Sequence, residues 1–243
     1  MTKKLKGWFF AAQDKLPGHA LLLRAYYAIR YGGSKGVFTS KYERNAWGEE
    51  ESISGSGSTL SYTESIRGAI PALIREYSIT RFLDAPCGDY NWFRHIDKAP
   101  NFAYIGGDIV APLVEKNNLL YGDSQTRFIN LDITRDALPP ADIWMCRDCL
   151  FHLSNRDIFR ALSNLLRSGI PLLLTTTHFE GEKNTDTATG GFRLLNLELE
   201  PFNLGPPVSE IDDWVDGHPK RKLALWRTDD IREHLSKNIR FRE

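Results

Sequence analysis

Three acids and a glycine carry the first chemistry in this sequence. Arg81 to Asp89 reads RFLDAPCGD: a short apolar run ending in Asp84, then a tight turn holding Ala85, Pro86 and Gly88. The next apolar run ends in YIGGD, which places Asp108 20 residues past Gly88. A third run ends at Asp132. In an open parallel sheet, ligands lie beyond the carboxyl ends of the strands, where the strand order reverses. Gly88 lets a ligand approach the backbone closely. An acid at the spacing of Asp108 suits a ribose diol. Asp84 and Asp132 also have a plainer reading, as caps of the helix or turn behind them.

A second cluster is CRDCLFHLS, Cys146 to Ser154. Asp148 and His152 are four apart and would share a face if this stretch were helical. His152 is the best candidate for a general base, with Asp148 as its orienter or as the base itself. His178 is the reserve base and a candidate substrate contact. Arg193, in GGFRLLN, could grip an acidic or phosphorylated acceptor through a bidentate pair, or form a surface salt bridge. Cys146 and Cys149 form a C-x-x-C. Zinc needs further ligands at suitable spacing, and a redox pair needs a thioredoxin-like unit. Neither is present, so Cys146 reads as a buried strand residue; a hard metal held by Asp148 and other acids stays an alternative, but no ligand cluster demands one.

Alternating elements must position these residues. Residues 62–77 read as a helix, 81–85 as a strand, then a turn and a short helix to about residue 96. Strands follow at 102–108, 127–131, 142–146 and 171–175. Helices are expected at 111–120 and 154–167, the latter opened by Ser154 and Asp157 three apart, a capping-box-like pair. Residues 194–204 and 222–227 look extended and would pair as late, partly antiparallel strands. Strands alternating with helices imply a parallel sheet covered on both faces. Residues 32–60 read as a long loop whose ESISGSGSTL stretch suggests a linker. Trp47 within it argues instead for a lid, because a large aromatic wants a surface to bury against. Residues 1–31 read as a basic, aromatic helical arm, either packed on the domain or docking to a membrane surface or partner. The division expected is therefore an arm and lid loop at 1–60 and one domain at 61–243.

The chain has 243 residues, 42% hydrophobic and 26% charged, which excludes a disordered protein. Lys plus Arg and Asp plus Glu are both 31, so no basic excess argues for nucleic acid. Three cysteines exclude a disulfide framework and fit a reducing cytoplasm. The most apolar run near the N-terminus, Ala20 to Ile29, is interrupted by Arg24 and too short to span a bilayer. Residues 1–15 do not read as a signal peptide.

A dinucleotide site would want G-x-G-x-x-G to set a helix N-terminus on a pyrophosphate. Here Gly88 stands alone in its turn with acids on either side. Acids repel phosphates but suit a cationic nucleoside without phosphate, the description of S-adenosyl-L-methionine (SAM). D-A-P-C-G-D, G-G-D, L-D-I and C-R-D-C-L-F-H-L resemble the motifs of class I SAM-dependent methyltransferases. Together with SGSGSTL, TTTHF and GFRLLNLELEPFNL, they are similar to small methyltransferases associated with bacterial surface-polysaccharide biosynthesis. The resemblance implies a Rossmann-like, doubly wound, mostly parallel seven-stranded sheet. It implies SAM as cofactor, S-adenosyl-L-homocysteine (SAH) as product, and a sugar or small-molecule acceptor methylated on a hydroxyl. It also implies a cytoplasmic enzyme, with the arm as a peripheral membrane or glycan-assembly contact. On this resemblance Asp84, Ala85, Pro86, Gly88, Asp108, Ile109, Asp132, Ile133, Arg147 and Trp47 bind the cofactor. Pro86 stands where the usual first loop has another glycine. The alternatives are methylation of a small metabolite on oxygen or nitrogen, and a non-catalytic SAM-binding subunit.

Overall fold

A computed structural model describes residues 33–237. The N-terminal arm read over residues 1–31 lies outside them. The sheet has seven strands, in chain order β1 (Arg81–Asp84), β2 (Ala103–Asp108), β3 (Thr126–Asn130), β4 (Ile143–Cys146), β5 (Leu172–His178), β6 (Ser209–Asp212) and β7 (Arg221–Arg227). Their spatial order is β3-β2-β1-β4-β5-β7-β6. β1 to β5 run parallel, and β7 is antiparallel to both β5 and β6. The order therefore reverses between β1 and β4, where Asp84 sits level with Gly106 on one side and Met145 on the other.

Alternation along the strands supplies two buried faces, as the period of two requires. Phe82, Ile143, Met145 and Leu174 point to one face, where α2 (Glu64–Glu76) buries Ile66, Ile70, Leu73 and Ile74. Leu83, Trp144, Leu173 and Trp226 point to the other, covered by α4 (Asn155–Ser168) and α5 (Thr228–Ser236). α3 (Ala111–Tyr121) adds Val114 to the first face. α4 is bounded as its sequence demands. The Ser154 hydroxyl accepts from the Asp157 amide, and Gly169 closes it at φ 74.

Two expectations are corrected. Residues 34–43 form a helix, α1 (Ser34–Glu43), inside the stretch read as loop. It buries only Val37, so it carries no apolar period to read. Residues 194–204 are not a strand, although Leu195, Leu197, Phe202 and Leu204 are fully buried. The backbone turns over residues 197–202, where the Phe202 and Asn203 amides donate to the Leu199 carbonyl, and Leu195 lies beside the end of β5, its carbonyl accepting the His178 amide. The last strand is supplied by residues 209–212 instead.

Candidate active site

The carboxyl ends of β1, β2 and β4 open into one cavity of about 290 Å³. Asp84, Pro86 and Gly88 line it from the loop after β1, and Asp108 and Ile109 from the end of β2. Asp132 and Ile133 follow β3, and Arg147, Asp148 and His152 follow β4. Trp47 closes it from the segment before the sheet. Ala85 does not line it. Its amide donates to Met145 and its carbonyl accepts the Trp144 indole N–H at 2.9 Å, so it belongs to the sheet.

Asp108 both faces the cavity and staples the first loop. Its Oδ2 accepts the Gly88 amide at 3.1 Å and its Oδ1 the Val110 amide at 2.9 Å. Gly88 has φ +56, and a Cβ there would collide with the Ser54 hydroxyl. Burial raises Asp108 to about 6, against the lowering by those amides. Asp84 is pushed further, to about 8, by burial; the Tyr104 hydroxyl, donating at 2.7 Å, and the charge of Arg147 only partly oppose it. Asp132 accepts the amide and hydroxyl of Thr134, so it caps its turn while also lining the cavity.

The β4 side carries a neutral quartet of charges. Arg147 pairs bidentately with the fully buried Asp213 at 2.8 and 2.8 Å. Arg221 contacts Asp148 at 2.8 Å and donates to the Asp213 carbonyl. The Trp92 and Tyr62 rings lie 5.2 and 4.9 Å from the Arg147 and Arg221 guanidinium carbons. Burial alone would raise the Asp148 carboxyl, but Arg147 and Arg221 hold it below its ordinary value. That corrects the reading of Asp148 as a base, because a carboxylate held ionised by two arginines is a poor proton acceptor.

Nor does Asp148 orient His152 on a shared helix face. Asp148 has φ +53 and precedes a short 3₁₀ turn, Leu150–His152. The His152 Nδ1 lies 2.6 Å from the Gly191 carbonyl. A carbonyl only accepts, so Nδ1 carries the proton and Nε2 keeps the lone pair in the neutral ring. Burial lowers His152 to about 4, which keeps it neutral at physiological pH.

Two further expectations are corrected. His178 is 1% exposed and does not line the cavity; its Nδ1 accepts the Leu195 amide. It fastens the 194–204 segment to β5, which removes it as base and as substrate contact. Arg193 is also buried away from the cavity. Its guanidinium donates to Asn155, Thr185 and Leu153 and so pins loop to helix.

The Ser/Gly-rich stretch is a wall of the site. Asp89 accepts the Ser52 hydroxyl at 2.9 Å, the Ile53 amide at 3.0 Å and the Ser54 hydroxyl at 3.3 Å. Glu51 accepts from the Asn91 side chain and the Leu60 amide. Gly57 sits against the quartet, where a Cβ would stand 2.6 Å from Asp148 Oδ2. These contacts, the aromatic wall of Phe38, Tyr42, Phe151 and Phe192, and the placement of Arg221 and His218 went unread in the sequence. The only available signal was the final Asp of D-A-P-C-G-D, an acid suited to a facing serine-rich segment. All three cysteines are buried free thiols. Among the described residues no three His, Cys, Asp or Glu side chains converge as a metal site.

No protein-family model matches the sequence, and no curated protein sequence matches it. Solved structures share the fold, a Rossmann-like methyltransferase fold. Mitomycin 7-O-methyltransferase MmcR superposes with a TM-score of 0.60 at 15% identity, over 83% of this chain and 62% of that one. The Burkholderia thailandensis 1,6-didemethyltoxoflavin-N1-methyltransferase, with bound 1,6-didemethyltoxoflavin and SAH, gives 0.56 at 16% identity, over 82% and 88%. The Synechocystis PCC 6803 magnesium protoporphyrin IX methyltransferase, with bound SAH, gives 0.52 at 14%, over 84% and 98%.

Proposed function

We propose that this protein is a SAM-dependent methyltransferase acting on a hydroxyl of a small acceptor, with a sugar as the favoured acceptor class. One observation carries the reading: two buried carboxylates, Asp84 and Asp108, face a single cavity at the strand reversal, without a glycine-rich phosphate loop. That donor set fits a cationic nucleoside. Asp84 would answer the ammonium group, Asp108 the ribose hydroxyls, and Asp132 and Ile133 the adenine. SAM, when bound, supplies a methyl group on a sulfonium, whose departure needs no acid. The chain must then align an acceptor and receive its proton. Alignment by the enclosing walls is the larger contribution, roughly 7–11 kcal/mol at best. The His152 Nε2 lone pair, held by the Gly191 carbonyl behind it, would take the hydroxyl proton; with its value lowered to about 4 by burial its help falls at the low end of the ~10²–10⁴-fold open to a positioned base. Phe38, Tyr42, Phe151 and Phe192 exclude water and offer ring faces to a sugar or another flat acceptor.

The resemblance of the sequence motifs to those of polysaccharide-associated methyltransferases supports a glycan sugar or its lipid-linked precursor. The metabolites named for the solved neighbours support the runner-up, a small metabolite methylated on oxygen or nitrogen. Calorimetric titration with SAH tests the cofactor, and SAH release from SAM with paired sugar and metabolite acceptors tests the reaction. Saturable binding with acceptor-dependent release is expected. No SAH binding by folded protein would overturn the reading, and binding without turnover on any acceptor would favour a non-catalytic subunit.

A further inference from the structure

A second cavity of about 170 Å³ lies against the first. Ser34 and Thr134 line both. Leu153 lines the first and its neighbour Ser154 the second. Three chain segments therefore form a shared wall, and the His152 turn leads from one space to the other. The first is lined by Asp84, Asp108 and Asp132 beside the neutral quartet to which Arg147 and Arg221 belong, whereas the second is lined by Arg135, Arg156 and Arg160 against one carboxylate, Asp157.

These arginines are not fully used by the fold. Arg160 pairs with Asp157 at 3.0 Å, one helical turn away, and Arg135 is 3.8 Å from Asp132 with its side chain 73% exposed. Arg156 is exposed and has no ion pair among the described residues. The first-turn amides of α4 are largely engaged, Asn155 with Asp186 and Asp157 with Ser154. The guanidinium groups, and not the helix end, are therefore what this cavity offers. Guanidinium forks match phosphate oxygens in geometry and charge.

We infer that the second cavity is an anion subsite for a phosphate or diphosphate group carried by the methyl acceptor. Its assignment to the acceptor rests on the methyltransferase reading above. The acceptor hydroxyl lies beside His152 and its charged group reaches past Ser34 and Thr134 to the arginines. This is the role expected of Arg193 from the sequence, transferred to residues that face a cavity. An acceptor of this class must come from a reaction that phosphorylates or nucleotidylates it.

Inorganic pyrophosphate is the probe. Calorimetric titration into the full chain, with and without SAH, is expected to show saturable binding. Arg156→Gln, and Arg156→Gln with Arg160→Gln, should weaken it by at least about tenfold, the loss of charge-assisted bonds, while leaving SAH affinity unchanged. Turnover should then favour sugar phosphates or nucleotide sugars over the same sugars without phosphate. No saturable pyrophosphate binding, or binding that the glutamine variants leave intact, overturns the subsite. Arginine-dependent binding with no preference for phosphorylated acceptors keeps the anion site and overturns its assignment to the acceptor. If SAH itself fails to bind, the methyltransferase reading falls, and the titration without SAH still decides the subsite.

Discussion

Proton release should accompany cofactor binding, and Asp84 is the reason. Its carboxyl is 3% exposed and pushed to about 8 by burial. The nearby guanidinium of Arg147 is already committed to Asp213. At pH 7 most of the free protein therefore holds a proton on Asp84. An ammonium group beside it would favour the carboxylate and expel that proton. With a value of about 8, the ionised fraction is ~1% at pH 6 and ~9% at pH 7. Affinity for the cation should rise about tenfold over that interval, with close to one proton released per ligand at pH 7. SAH titrations at pH 6.0, 6.5 and 7.0, in two buffers of contrasting ionisation enthalpy, read both quantities. Asp84→Asn should bind more weakly and lose the pH dependence. A flat affinity with a buffer-independent enthalpy would refute the contact between Asp84 and a cation. The same shift has a sign for stability. The folded value lies above the unfolded one of about 3.9, so the folded state binds more protons between those limits. The contribution of Asp84 to the stability of the free protein therefore falls as pH rises from about 4 to about 8. Ligand binding should raise the melting temperature most at the upper end of that window.

His152→Ala should reduce turnover by up to ~10²-fold, the low end for a positioned base, with SAH affinity unchanged, since alignment survives its loss. Because His152 sits at about 4, its protonation should not depress activity between pH 7 and 5, and a histidine-controlled acid limb near pH 6.5 would contradict this assignment. Asp89→Ala removes the acceptor for Ser52, Ile53 and Ser54, so hydrogen exchange across residues 51–58 should accelerate while the sheet stays protected; unchanged exchange would mean other contacts hold the wall. Gly57→Ala drives a methyl against Asp148 and Arg221 and should lower kcat more than the melting temperature, as steady-state kinetics beside a thermal melt would reveal.

Local chemistry was enough for much of the fold. Ser154 and Asp157 marked the start of α4 because a cap is a contact between near neighbours in sequence. The buried runs of β1, β4 and β5 were legible because both faces of a central parallel strand are covered. Asp84, Asp108 and Asp132 were readable as a set because each ends or follows a strand, and parallel strands bring such ends to one edge. Contacts between distant segments were not legible. α1 has almost no apolar stripe, and only the tertiary structure lays Phe38 and Tyr42 over the cavity. The alternation at residues 194–204 reports burial, but residues 197–202 turn instead of extending, and turns packed against a sheet bury apolar side chains as a strand does. His152, Asp148, His178 and Arg193 were all candidates for chemistry in the sequence, with His152 ranked as the base and His178 in reserve. Burial and partners separated them: Gly191 leaves His152 one nitrogen for the cavity, two arginines silence Asp148 as a base, and Leu195 and Leu153 turn His178 and Arg193 inward. Residue type specifies what a side chain can do, and its neighbours in space decide which of those capacities is left.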